Sequence, residues 1–461
     1  MKLEIIGHDF RFDCENMCML FFPNTKFAAG TNDGREMKAF FDGETASAEF
    51  TDSNGEIYTA SAKVCDILYD KEKAAVKTAM FKAFSEATGI RPPWGILTGI
   101  RPVSFWLKMK DMYGEKAAEV LEKYYLVMPQ KIRLCIETSI ERAATAEMCT
   151  PDTVSLYVSI PFCPTRCKYC SFVSGATEKE HRYIPKYLEV LAEELVQKAA
   201  LIRQREQKLQ TIYIGGGTPS VLSAQQLDFL IGHINRTFDL SHMCEFTVEA
   251  GRPDTITEEK ISVLASNGVT RVSVNPQTLN DEVLRIVGRK HTVADFYRAY
   301  DTVSKTSMSV NIDLIAGLPG ENADGFAEGV SKITELSPDN ITVHSLYIKR
   351  AADYGIDGSG KEFVCAKADE GTKMITLGSE ILHNNGYLPY YIYRQKNTVG
   401  NNENTGYAKH GKECKYNILM MDDLQTIYGC GAGGMTKIVN GTNIERLSNT
   451  KFAYNYIGNG I

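Results

Sequence analysis

The chain has 461 residues, room for roughly two or three domains with real cores, and 43% of them are hydrophobic against 23% charged, a balance that excludes a disordered polypeptide. Its net charge of −6 gives no basis for nucleic-acid binding or a polybasic membrane anchor, and no run approaches the ~18 apolar residues of an integral membrane segment. The start, MKLEIIGHDFRF, lacks a basic region, an apolar run and a cleavage site, so the chain is expected in the cytoplasm with its thiols reduced.

In chain order, the first 70 residues alternate apolar and polar positions and are broken by turn signals at Thr31 to Gly34 and Asp52 to Gly55, which predicts a small antiparallel β module. From about Asp70 the pattern turns helical and stops at Gly89; RPPWGILTGIRP and two more helical stretches then run to about Met148, making 1–150 an N-terminal α+β extension. Short β-branched strands are expected at Ser155–Ile160, Thr211–Ile214, Glu245–Glu249, Thr270–Val274, Ser309–Ile315 and Asn340–Leu346, with helices between them. The clearest helix starts at Ile184, with Leu188, Leu191, Leu195, Ala199 and Ile202 on one face. Six such units over 151–350 give an α/β core, either a partial (β/α)6 TIM-like barrel or a doubly wound sheet, which periodicity does not separate. A helix from Gly371, then YLPYYIYRQKNTVGNNENTGY and IYGCGAGG, make 351–461 a small C-terminal domain or lid.

Of 12 cysteines, three fall in CPTRCKYC, at Cys163, Cys167 and Cys170. A 4Fe-4S cluster normally takes four thiolates, so a compact trio leaves one iron open to a small molecule. Zinc is the main rival, but its ligands usually come as separated pairs, often with His, and no second pair lies near. In parallel β/α architectures the functional groups gather at the carboxyl ends of the strands. The cysteine run follows the first expected strand and Gly215-Gly216-Gly217-Thr218 the second; Glu249, Gln277, Asp313 and Tyr347 close or follow the others. One rim would carry them all. Glycines let a backbone approach a ligand, Glu249 and Asp313 can accept hydrogen bonds from amino or hydroxyl groups, and Arg289 could pair with a carboxylate in fork geometry. The histidines show no paired metal spacing.

YVSIPFCPTRCKYCSF, IYIGGGTPS, FTVEAGRPDTIT, RVSVNPQTLNDEVLRIVGRKHT and NIDLIAGLPGE together resemble the radical S-adenosylmethionine (SAM) core of the oxygen-independent coproporphyrinogen III oxidase family. PPWGILTGIRP and YYIYRQKNTVGNNENTGY are similar to its longer coproporphyrinogen dehydrogenase subgroup. The resemblance implies that Cys163, Cys167 and Cys170 hold three irons of a 4Fe-4S cluster while SAM chelates the fourth. It adds Tyr157, Tyr169 and Gly216 around that SAM, with Glu249, Gln277, Arg289 and Asp313 nearby. Gly217, Thr218 and Tyr347 would belong to a second SAM, where two are bound. The implied activity is anaerobic oxidative decarboxylation of a tetrapyrrole, coproporphyrinogen III, to protoporphyrinogen IX in haem biosynthesis, with flavodoxin or ferredoxin as electron donor. The pattern departs in places: the family's oxidases carry a His two residues after the Tyr matching Tyr157 and a further Cys after the triplet, where this chain has Ser159 and Phe172. Related haem chaperones carry HNxxYW, which the comparable KECKYNI lacks. A haem carrier that retains the cluster, or another radical reaction on a tetrapyrrole, are the alternative readings.

Overall fold

The computed structural model describes residues 1–23, 25–27, 33–99, 101–172, 174–348, 352, 354, 368–395, 398–441 and 443–458. The expected start of the C-terminal region at 351, Ile100 and residues 396–397 of the two subgroup-like segments lie outside them. Two compact units form: 1–137 with 364–368 and 393–403, and 138–363 with 369–392 and 404–461. Among the described residues no helix is long and apolar enough to cross a membrane.

The first unit holds a four-stranded sheet, β1 (Lys2–Ile6), β2 (Glu36–Phe41), β3 (Thr45–Thr51) and β4 (Ile57–Lys63), in that order. It corrects the expectation of a wholly antiparallel module, because β1 pairs parallel with β2 and a helix, Arg11–Phe21, joins them. Parallel neighbours need a crossover, and the signal was there: Cys14, Met17, Cys18 and Phe21 are buried at helical spacing. Phe21 packs against Phe81 and Phe84 of the helix Lys71–Thr88, which ends at left-handed Gly89 as expected. Trp94 and Gly95 of the PPWGILTGIRP segment are packed into this unit. Trp94 Nε1 donates to Glu403 at 2.8 Å and Lys131 Nζ to the same carboxylate at 2.5 Å. Gly95, at φ +54, lies where a Cβ would fall 2.1 Å from the Tyr125 carbonyl.

The second unit is built on β5 (Thr153–Ile160), β6 (Lys208–Gly216), β7 (Glu245–Glu249), β8 (Arg271–Ser273), β9 (Ser309–Ala316) and β10 (Asn340–Ser345). All pair parallel and lie side by side in chain order. A doubly wound sheet would reverse its order part-way; this one does not, and it has the partial-barrel order. Among the described residues the last part of the chain joins this same sheet. β11 (Leu388–Arg394) and β12 (Glu403–Ala408) extend the flank beyond β10, while β13 (Thr426–Cys430), β14 (Met435–Asn440) and β15 (Asn443–Ser448) extend the flank beyond β5, giving eleven strands.

Alternation along the core strands separates two environments. Val154, Leu156, Val158 and Ile160, with Ile212, Ile214, Phe246 and Val248, join the hydrophobic core with Leu188, Leu191, Leu195, Ala199 and Ile202 of the helix Ile184–Gln204. The other face is polar. Ser155 Oγ meets Thr211 Oγ1 at 2.6 Å, and Tyr157, Tyr213 and Tyr416 stack, the last two at 4.4 Å.

Candidate active site

The cysteine loop leaves β5 at Pro161. Cys163 N–H donates to Gly175 O at 2.9 Å and Gly175 N–H to Pro161 O at 2.8 Å, closing the loop at its base; Lys168 N–H donates to Val287 O at 3.1 Å. Cys163 and Cys167 are buried and Cys170 is half-buried. Burial, then the neighbouring Cys167 and Cys163 thiols, push the Cys170 thiol up to about 11, a direction that bound iron would reverse. The surroundings fit a cluster. A Cβ on Gly217 would lie 2.5 Å from Phe162 O and 3.0 Å from Cys163 Sγ, so only glycine leaves room under the first thiol. Thr218 Oγ1 lies 3.4 Å from that sulfur, and the Arg252 guanidinium 3.8 Å from Cys167 Sγ. Donors and cations of this kind set a cluster's potential.

The glycine run closes β6. Gly216 takes φ +112, unfavourable for a side chain, and a Cβ on Gly215 would lie 3.0 Å from Glu249 Oε2. Gly217 N–H donates to Ile160 O at 2.8 Å and Thr218 N–H to Phe162 O at 2.7 Å, so their backbone donors serve the cysteine loop. Glu249, at the end of β7, accepts from Tyr213 Oη at 2.5 Å. Burial pushes its carboxyl up to about 7; the Tyr213 hydroxyl opposes this, the Asp313 charge adds to it and Gly216 N–H opposes it.

Next along the rim, Asn275 Nδ2 donates to Asp313 Oδ2 at 2.8 Å, and Asp313 N–H donates back to Asn275 Oδ1 at 3.2 Å. His344 Nε2 lies 3.7 Å from the same carboxylate. Gln277 bridges to β9 with φ +71, left-handed for a non-glycine residue, and its Oε1 is buried without a partner. Such strain with an orphaned polar atom is typical of ligand sites.

Arg289 is buried and differs from the expected carboxylate fork. Its donors reach Tyr169 Oη (3.0 Å), Gly251 O (3.0 Å) and Asn275 O (2.7 Å), because the turn at Gly288 (φ +77) turns it inward among carbonyls. It thereby fixes Tyr169 and ties two rim loops together. Beside it His291 is held down at about 3 by burial and by the Arg289 and Arg252 charges, so its ring is neutral. Tyr347 lies two residues past β10. Ser159 is buried, donating to Ala432 O at 2.7 Å, while Phe172 is 63% exposed.

Sequence reasoning missed Arg252, His291 and His344. Arg252 was findable, since it follows Glu249 by three residues in the same rim loop. His344 is marked only by strand alternation, and His291 has no local signal.

The opposite end of the strands is closed. Glu245 accepts from Lys415 N–H and Tyr416 N–H at 3.0 Å each, and from Arg271 Nε at 3.3 Å. Arg271 also donates to Asn311 Oδ1, Lys412 O and Glu413 O. The KECKYNI segment is therefore the plug of this end, and Tyr416 from it stacks on Tyr213.

The radical SAM superfamily pattern matches residues 157–332. The oxygen-independent coproporphyrinogen-III oxidase-like protein HemZ of Bacillus subtilis (strain 168) is 40% identical over 358 residues, 76% of this chain and 71% of that protein. The chain belongs to the radical SAM coproporphyrinogen oxidase family. Members work with a 4Fe-4S cluster and SAM. The heme chaperone HemW of Lactococcus lactis subsp. lactis (strain IL1403) is also similar, 35% identical over 60% of this chain and 68% of that protein. The solved structure of coproporphyrinogen III oxidase (HemN) from Escherichia coli shares the fold, with a TM-score of 0.52 at 21% identity over 69% of this chain and 71% of that one.

Proposed function

We propose that this family member carries out the anaerobic oxidative decarboxylation of coproporphyrinogen III to protoporphyrinogen IX. The observation that carries the reading is the 40% identity to a coproporphyrinogen-III oxidase-like relative over 71% of its length, together with a rim whose groups fit a cluster and SAM. Cys163, Cys167 and Cys170 would hold three irons of the cluster, leaving the fourth open to SAM. When bound, the reduced cluster and SAM would supply the radical chemistry that removes a hydrogen from a propionate side chain, turning it into a vinyl group with release of carbon dioxide and transfer of one electron to an external acceptor.

The chain's own residues bind and orient. Glu249 Oε1, held by Tyr213, and Asp313 Oδ2, held by Asn275, accept from amino and hydroxyl groups of SAM. Glu249 titrates near neutrality, so it can hold a proton at Oε2 or release it as the ligand demands. Tyr157, Gly216 and Gln277 complete that cradle, and Arg289 acts on it by fixing Tyr169. Gly217, Thr218 and Tyr347 would serve a second SAM where two are bound. Flavodoxin or ferredoxin supplies the electron.

A second reading, a haem carrier that keeps the cluster, is favoured by Ser159, whose hydroxyl is engaged with Ala432 O where the oxidases have an imidazole able to move a proton. One anaerobic experiment separates the two: reconstituted protein, reductant, SAM and coproporphyrinogen III. Protoporphyrinogen IX, methionine and carbon dioxide are expected. Cleaved SAM with intact porphyrinogen would end the oxidase reading, and stoichiometric haem binding with transfer to an apo-haemoprotein would install the carrier.

A further inference from the structure

A cleft of about 290 Å³ lies against the outer wall of the cysteine loop, lined in part by Phe162 and Ser171, which flank Cys163 and Cys170 in the chain, and by Tyr183, Phe452 and Tyr454. The exposed aromatic side chains among the described residues are Phe12, Tyr69, Phe172, Tyr183, Phe229, Phe452 and Tyr454. Three of them line this cleft, and Phe172 directly follows its Ser171. Phe452 and Tyr454 stack at 5.4 Å. Exposed aromatics gathered in one place mark a surface that another molecule covers.

The charge around the cleft opposes that of the whole chain. Arg166 is in its lining, and Arg182 and Lys451 adjoin the lining residues Tyr183 and Phe452, all three exposed. Of the nearby acids, Glu180 is engaged, accepting from Ala176 N–H, Thr177 N–H and the Thr177 hydroxyl. A basic, aromatic patch on a chain of net charge −6 selects an acidic partner and speeds its approach.

We infer that this cleft is the docking surface for a small acidic one-electron carrier protein, which passes its electron through the Phe162 to Ser171 wall to the cluster. The inference rests on the radical SAM reading above. The carrier is oxidised by one electron and the cluster reduced by one; no bond or proton is exchanged.

The test uses cluster-loaded protein with flavodoxin as the probe, measuring complex affinity by titration and cluster reduction by stopped flow, beside a parallel reduction by dithionite. Arg182→Glu with Lys451→Glu should weaken flavodoxin binding and slow its reduction of the cluster at least 10-fold, and Phe452→Ser should weaken binding about 3-fold. The dithionite reaction should stay within 2-fold of wild type, which reports an intact fold. The wild-type flavodoxin rate should fall steeply with added salt. Wild-type affinity and rate in the double variant, or a salt-independent wild-type rate, would overturn the docking surface. Unchanged flavodoxin kinetics with lost haem binding would assign the cleft to a tetrapyrrole and overturn it as well. If dithionite-reduced wild type fails to cleave SAM, the underlying radical SAM reading fails instead.

Discussion

At the amino end of the core strands Glu245 and Arg271 are closed off by residues 412–416, whereas at the carboxyl end Glu249 and Asp313 meet, among the described residues, Tyr213, Asn275 and His344 of neighbouring strands and loops. Both ends are polar, with charged groups in partly or fully buried positions. The first answers its charges with its own backbone: two N–H groups on the carboxylate and two carbonyls on the guanidinium. The second keeps an orphaned Gln277 Oε1, a left-handed Gln277 and a Glu249 that titrates near 7. Polar groups completed by the chain itself stabilise it; polar groups left incomplete on a rigid rim are available to a ligand.

That contrast can be broken by mutation. Cys163→Ala, Cys167→Ala or Cys170→Ala should each abolish cluster absorbance and iron retention, and full iron content in any of them would refute the ligand assignment. At the closed end Arg271→Ala should cost about 3–5 kcal/mol in a denaturant titration, since it strands buried Glu245, without altering iron per folded molecule. A loss below 1 kcal/mol would mean that the plug is not what holds this end.

The pH dependence sharpens the comparison. Burial pushes both Glu249 and Glu321 up to about 7, above their pKa in the unfolded chain, roughly 4.3. The folded state therefore holds protons that the unfolded state has released. Their contribution is fully present below the unfolded pKa, is lost as pH rises towards about 7 and is level above it. Cluster-free protein should show that fall in its urea midpoint, and Glu321→Gln should flatten it. An unchanged slope would mean that Glu321, which accepts from Thr278 Oγ1 at 2.5 Å, is not a source. The smallest effect is electrostatic. Arg252→Ala removes a cation 3.8 Å from Cys167 Sγ and should lower the cluster potential on the order of 50 mV, read by redox titration; a rise would reverse the sign argued here.

The core strands were legible because each is a short β-branched run whose carboxyl end carries a distinctive residue, and observed limits differ from expectation by three residues at most, at the start of β6. The helix Arg11–Phe21 was missed although Cys14, Met17, Cys18 and Phe21 carry its spacing, because KLEIIGHDFRF alternates like a strand up to its first turn. The joining of β11 to β15 to the core sheet depends on partners more than 60 residues away, such as Tyr428 on Leu156, which no local pattern reports. At the site, cysteine spacing and the glycine run were readable, whereas the Arg271–Glu245 plug needs residues 412–416 brought from the far end of the chain.

The central claim is that the carboxyl-end rim leaves one iron open to SAM. Electron paramagnetic resonance of the reduced, reconstituted protein with and without SAM tests it most directly. The account predicts a 4Fe-4S signal whose g-values shift on adding SAM in the wild type. A full-intensity 4Fe-4S signal that SAM leaves unchanged would contradict it.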